Sequence, residues 1–165
     1  MKEYKIKSED TKHFSLTLND QEIGRLKYEK WFSFKAEMIL GGTMTYQIEP
    51  KGFWGTTIEL KQNEKILLNF KMIWNGDFII NTRFDEIERD FILKHKGIFK
   101  ESYVILNKQD EELLVIRPDF KWNKLNYDYN ISTTDQFDNL SFNVILLLTT
   151  IHCINYCTTM MSTGM

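Results

Sequence analysis

Apolar and polar residues alternate with a period of two over most of the chain, the mark of strands that bury one face. Such runs cover residues 13–18, 22–28, 34–40, 43–49, 53–60, 66–73, 78–83, 90–95, 102–106, 113–117 and 127–131. Turn-forming residues punctuate them: Asn19-Asp20-Gln21, Gly41-Gly42, Gln62-Asn63-Glu64 and Asn75-Gly76-Asp77. The spacing predicts about eleven or twelve short antiparallel strands. Strands twist, so a meander of this length closes into a barrel or folds into a two-layer sandwich.

The period changes near the C-terminal end. From Asn139 to Met165 there is no Asp, Glu, Lys or Arg. Val144-Ile145-Leu146-Leu147-Leu148, then Ile151, Cys153, Ile154, Tyr156, Met160 and Met161, predict one helix over about residues 137–161. Thr134-Asp135 supplies an N-cap, and Gly164 lies near a natural stop. A helix that is apolar on nearly every side belongs in a protein core or in a bilayer. Its length permits a span. Composition favours the core, because Asn143, Thr149, Thr150, His152, Asn155, Thr158 and Thr159 dilute the run and no basic residue flanks its C-terminal end.

Geometry agrees with a core helix. About twelve strands, 4.8 Å apart and tilted about 40°, enclose a wall radius of roughly 12 Å. A helix with its side chains has a radius of about 5–6 Å and meshes with such a wall, whereas an eight-stranded barrel is too narrow. The expected fold is therefore all-β with one C-terminal helix. It is a single domain over residues 1–165, a closed antiparallel barrel of about twelve strands around a buried hydrophobic helix.

Two stretches echo one another. Tyr46-Gln47-Ile48-Glu49-Pro50-Lys51-Gly52-Phe53-Trp54 and Phe91-Ile92-Leu93-Lys94-His95-Lys96-Gly97-Ile98-Phe99 both place Lys-Gly and two apolar residues after a strand, 45 positions apart. Downstream, Lys61-Gln62-Asn63-Glu64-Lys65-Ile66-Leu67 matches Lys108-Gln109-Asp110-Glu111-Glu112-Leu113-Leu114 at an offset of 47. The pattern predicts a degenerate repeat of three or four strands.

A long antiparallel meander followed by the hydrophobic segment 144–161 resembles the tubby-like barrel superfamily. That group includes the tubby C-terminal domain, the plant LURP-one-related proteins and the phospholipid scramblases. The resemblance covers residues 4–161 and rests on the order of elements. It implies a barrel of about twelve strands enclosing the C-terminal helix. It also implies a connection with lipids, since tubby domains bind phosphoinositides through basic residues and scramblases are linked to lipids and calcium. No residue of those sites carries over to this chain, and the scramblase-type cysteine-rich segment is missing.

Composition narrows the function classes. The chain has 165 residues, 42% of them apolar and 14% aromatic, enough for one real core. A net charge of −2 excludes a duplex-wrapping basic surface. Charges interrupt every apolar residue from Met1 to Asp10, so a secretory signal is not expected. Cys153 and Cys157 cannot staple distant loops and read as buried thiols, which fits a reducing cytoplasm.

Candidate chemistry is sparse. His13, His95 and His152 form no zinc spacing. His152 and its neighbour Cys153 diverge by about 100° on a helix, so His152 reads as a buried, hydrogen-bonded histidine. Asp85, Glu86, Glu88 and Asp90, with Arg89 among them, lack the offsets of a calcium loop and read as a solvated turn. Asp110-Glu111-Glu112 reads as a hairpin tip, and Gly52-Phe53-Trp54-Gly55 as a bend in a curved wall. Phosphate-loop and nucleophile-elbow motifs are absent.

The most suggestive surface segment interleaves basic and aromatic residues: Arg117, Phe120, Lys121, Trp122 and Lys124. That mixture suits single-stranded nucleic acid or a lipid headgroup, and it also suits an ordinary strand. Trp31, Phe32 and Phe34, with Lys30 and Lys35, form a similar stretch. The expected function is a non-enzymatic binding or scaffold module with no cofactor, no metal and no catalytic residues. Its partner would be a protein or a lipid headgroup. The alternatives are a peripheral phospholipid-binding protein, and a calycin-type carrier if the barrel is hollow.

Overall fold

Twelve strands follow one another around a closed ring in chain order. They are β1 (Glu3–Ser8), β2 (His13–Leu18), β3 (Gln21–Lys27), β4 (Ala36–Leu40), β5 (Met44–Pro50), β6 (Ile58–Gln62), β7 (Lys65–Met72), β8 (Phe78–Phe84), β9 (Ile87–Lys96), β10 (Ser102–Leu106), β11 (Glu112–Lys121) and β12 (Asn126–Thr133). The structure is a computed structural model that describes residues 1–30, 34–52, 57–97, 100–123 and 126–163, with the backbone alone over 159–163. The first part of the run expected over 53–60 and the residues Trp31 and Phe32 lie outside the described residues.

The ring closes where β1 pairs antiparallel with β12, Tyr4 opposite Ile131 and Ile6 opposite Tyr129. β1 is a strand that the period-two runs above do not include. Its charges are what a strand needs on its wet side. Tyr4, Ile6 and Ser8 are buried, while Lys5 and Lys7 between them are exposed. Outward positions elsewhere carry Arg25, Arg83, Lys94 and Arg117. A barrel seated in hydrocarbon would show an apolar band there instead. Among the described residues no helix is long and apolar enough to cross a membrane.

The C-terminal segment differs from the single helix expected over 137–161. It forms a short α1 (Asp135–Asp138) and a long α2 (Asn143–Thr163). Thr134 caps α1 by accepting from the Phe137 amide, and Asn139 ends it. The break is a tertiary requirement. Phe137 and Phe142 are both buried, and the chain must turn from the rim of the barrel into its lumen between them. Asn143 Nδ2 donates to the Asp138 carbonyl at 3.1 Å across this corner.

α2 fills the lumen. Leu146, Leu147, Leu148, Ile151 and Ile154 have no exposed surface, although they point to different sides of the helix. Partners come from all round the wall. Phe142 stacks on Phe84 at 4.5 Å, His152 meets Tyr28 and Phe70, and Asn155 meets Tyr129. Gly24 sets the closest approach: a Cβ there would lie 2.9 Å from Leu148 Cδ1 and 3.0 Å from Leu40 Cδ2.

An antiparallel meander sends successive connections to opposite ends. At one, the turn end, lie the β2–β3, β4–β5, β6–β7, β8–β9 and β10–β11 turns and α1. Four of the five turns are pairs with positive φ: Asn19-Asp20, Gly41-Gly42, Asn63-Glu64 and Asp85-Glu86. At the other, the loop end, lie the connections after β1, β3, β5, β7, β9 and β11. The sequence echo maps onto this frame. Gly52 follows β5 and Gly97 follows β9, both with positive φ. The hairpins β6–β7 and β10–β11 each slip register, at Leu60/Lys61 and at Ile105/Leu106. The same slip at Leu16/Thr17 in β2–β3 adds a third unit of four strands.

Candidate functional site

Among the described residues, the polar side chains that dilute α2 bond within the helix or across the lumen. Thr149 and Thr150 donate back to the carbonyls of Ile145 and Leu146 at 2.8 Å, which hides both hydroxyls inside the helix's own backbone. His152 and Asn155, three apart, share a face and meet two inward tyrosines of the wall. The Tyr129 hydroxyl donates to Asn155 Oδ1 at 2.7 Å, and Asn155 Nδ2 donates to Tyr28 Oη at 3.2 Å. Tyr28 Oη lies 2.7 Å from His152 Nδ1. The two atoms share one hydrogen, carried by the phenol or by the imidazole according to its tautomer.

This four-residue network ends on the buried His152, whose Nε2 has no hydrogen-bond partner among the described residues. Burial lowers the His152 pKa to about 4. Burial also raises Tyr28 and Tyr129 far above the ordinary phenol range. The network is thus locked in its neutral form over the physiological range. The reading of His152 as a buried, hydrogen-bonded residue agrees with this geometry. Its partners Tyr28, Tyr129 and Asn155 were not identified from sequence. The available signal was a His and an Asn three apart on an otherwise apolar helix.

The thiols are held out of reach of nucleophilic chemistry. Cys153 is buried and Cys157 half-buried, and neither is in a disulfide. Burial pushes the Cys153 thiol up, and that of Cys157 to about 11. Thiolate is scarce at both sites.

The structure does not gather the surface segment singled out in the sequence into one face. Alternation along β11 puts Arg117, Asp119 and Lys121 outside and Phe120 inside. Lys121 donates to Asp119 at 2.5 Å, and Arg117 reaches Ser132 Oγ at 3.5 Å. The lysine's charge is therefore matched on the spot. Phe120 lies edge-on to Tyr127 at 5.1 Å and to Trp122 at 4.9 Å, at the mouth of the lumen. Trp122 is 81% exposed. Lys124 lies outside the described residues.

Trp122 shares the loop end with Trp74, which is 97% exposed, and with the partly exposed Met72. The described connections at this end balance five lysines (Lys12, Lys30, Lys35, Lys51 and Lys100) against five carboxylates. The turn end is different. Its connections and α1 carry eight carboxylates, including Asp85, Glu86 and Glu111, and one lysine, Lys108. The Asp85-Glu86 pair forms the β8–β9 turn, and Ser141 donates to Asp85 at 2.8 Å. Asn81 Nδ2 donates to both Glu88 and Asp90, at 2.8 and 2.7 Å. Among the described residues no three His, Cys, Asp or Glu side chains are placed to hold a metal ion.

No protein-family model, no curated protein and no solved structure matches the chain.

Proposed function

We propose that this chain is a non-enzymatic binding module of the tubby-like barrel type, working in the cytoplasm and meeting its partner with the loop end. The exposure of Trp74 and Trp122 at that end carries the reading. Tryptophan holds a large apolar surface that folding normally hides. The closed antiparallel barrel with a helix in its lumen supports the tubby-like assignment. The carrier alternative requires a hollow barrel, and α2 occupies the lumen, which favours recognition on the outside.

A photo-crosslinking amino acid placed at position 74, at 122 and, as a control, at Asp20 on the turn end tests this in cells. Discrete adducts from 74 or 122 and none from 20 are expected. Adducts from position 20 alone, or from none of the three, overturn the reading.

Peripheral phospholipid binding is a second reading, favoured by the same tryptophans, because indole rings seat at the headgroup level of a bilayer. With lysines and carboxylates balanced among the described residues of the loop end, such binding would depend little on salt. Flotation with phosphatidylcholine–phosphatidylserine vesicles at low and high salt tests it. Retention at both salts, lost in W74S/W122S, is the expected result. No flotation at either salt removes this reading.

A further inference from the structure

We propose that a crevice at the turn end, beside Arg89, binds a small organic monocarboxylate. This site lies at the opposite end from the loop rim and stands independently of the function proposed above.

The crevice comes from unequal strand lengths. β9 keeps its ladder with β8 down to Ile87, opposite Phe84, but its ladder with β10 stops at Ile92, opposite Leu106. Residues 87–91 therefore have a strand on one side only. The β10–β11 turn swings away because it is bonded to itself. Asn107 Oδ1 accepts from the amides of Gln109 and Glu111 at 2.9 and 3.0 Å. The space left is about 330 Å³. Phe91, Leu113 and Leu140 give it an apolar floor, and Asn107, Lys108 and Gln136 a polar rim. That volume sits at the lower bound for small-molecule sites.

Arg89 is the unusual occupant. Alternation with the buried Phe91 and Leu93 turns it inward, although its neighbours Glu88 and Asp90 point out. Its guanidinium carbon lies 5.5 Å above the Phe142 ring. Its Nη1 is shielded from solvent and has no hydrogen-bond partner among the described residues. Arg25, by contrast, is clamped between Glu9 and Glu22 on the outer wall. A guanidinium has five donors in a rigid fork that matches a carboxylate, and a buried donor left unmade is costly. Glu88 and Asp90 also border the crevice, but both are engaged by Asn81.

The surroundings select the ligand class. The apolar floor asks for a hydrocarbon or ring body. The carboxylates of the turn end repel a dianion such as phosphate and tolerate one negative charge that sits on the arginine.

Titration of the full chain followed by ¹H–¹⁵N NMR tests the site, using benzoate with benzamide and inorganic phosphate as comparators. Saturable shifts with benzoate are expected at Arg89, Asn107, Gln136 and Leu140, with benzamide and phosphate at least tenfold weaker. R89Q should weaken benzoate at least tenfold. R89Q also loses the contact with Phe142, so L140W gives an independent arm. It fills the crevice, keeps the arginine, and should abolish the shifts. The proposal is overturned by no saturable shift, by equal affinity for benzamide or phosphate, or by binding that survives L140W.

Discussion

The two ends of the barrel are built from the same meander but solve different problems. At the turn end, short positive-φ turns, α1, Phe137 and Phe142 close the wall over the start of α2. The acidic residues gathered there lie at the same end of the barrel as the start of α2. At the loop end the connections are longer, the helix emerges, and tryptophans stand in solvent. The lumen changes between the ends as well. Its turn-end half is hydrocarbon and aromatic apart from Arg89, and its loop-end half holds the Tyr129–Asn155–Tyr28–His152 network.

The harshest way to break this picture is to remove residues 143–163. Five fully buried large side chains from α2 contribute about 1.5–3 kcal/mol each, comparable with a whole domain's net stability of about 5–15 kcal/mol. No cooperative thermal transition should remain by circular dichroism. A soluble truncation that melts cooperatively would show that the wall stands without its axis.

Acid probes the network. His152 has an ordinary pKa of 6.5 when unfolded and about 4 when folded. Above 6.5 both states are neutral and the folded state keeps its full advantage. As the pH falls from 6.5 toward 4 only the unfolded chain takes up the proton, so stability falls by about 3 kcal/mol across that window. H152F should flatten this part of the pH–stability curve in urea titrations. An unchanged slope would mean that other groups carry it.

Substitution at Gly24 comes next. G24V places methyl groups against Leu148 and Leu40 and should cost about 1–3 kcal/mol by overpacking. L148A made in the G24V background should restore part of that loss, and strictly additive energies would remove the contact from the account. At the small end, W74S and W122S should each change stability by less than about 0.5 kcal/mol. A loss above 1 kcal/mol for either would give that tryptophan a structural duty and weaken its assignment to binding.

What could be read from sequence follows the range of each interaction. Asn19-Asp20, Gly41-Gly42, Asn63-Glu64 and Asn75-Gly76-Asp77 announce turns because the chemistry is local, and all of them have positive φ within them. α2 announces itself because a charge-free stretch has few places to go. β1 hid behind its own lysines, since a charge at every second position reads as polar until the burial of Tyr4 and Ile6 is known. The corner at 139–142 has no Gly or Pro to mark it and exists because the lumen lies around a bend from the rim. The network joins residues 124 positions apart, Tyr28 and His152, which no spacing rule connects. Arg89 looked like one charge in an acidic cluster, and only the closed ring shows that it faces inward. The two-residue alternation of β11 divides the described part of the basic-aromatic segment between the outer wall and the lumen.

The placement of α2 also sets a schedule for synthesis. All twelve strands are made before the helix that holds them, and β1 waits for β12, more than a hundred residues later, to find its partner. Until both arrive, the nascent ribbon has an unclosed seam and a greasy inner surface with nothing to cover it. Neighbouring strands pair as hairpins as the chain emerges, but the seam between β1 and β12 closes only at the end. During translation the chain should therefore depend on chaperone capture up to the moment α2 is released.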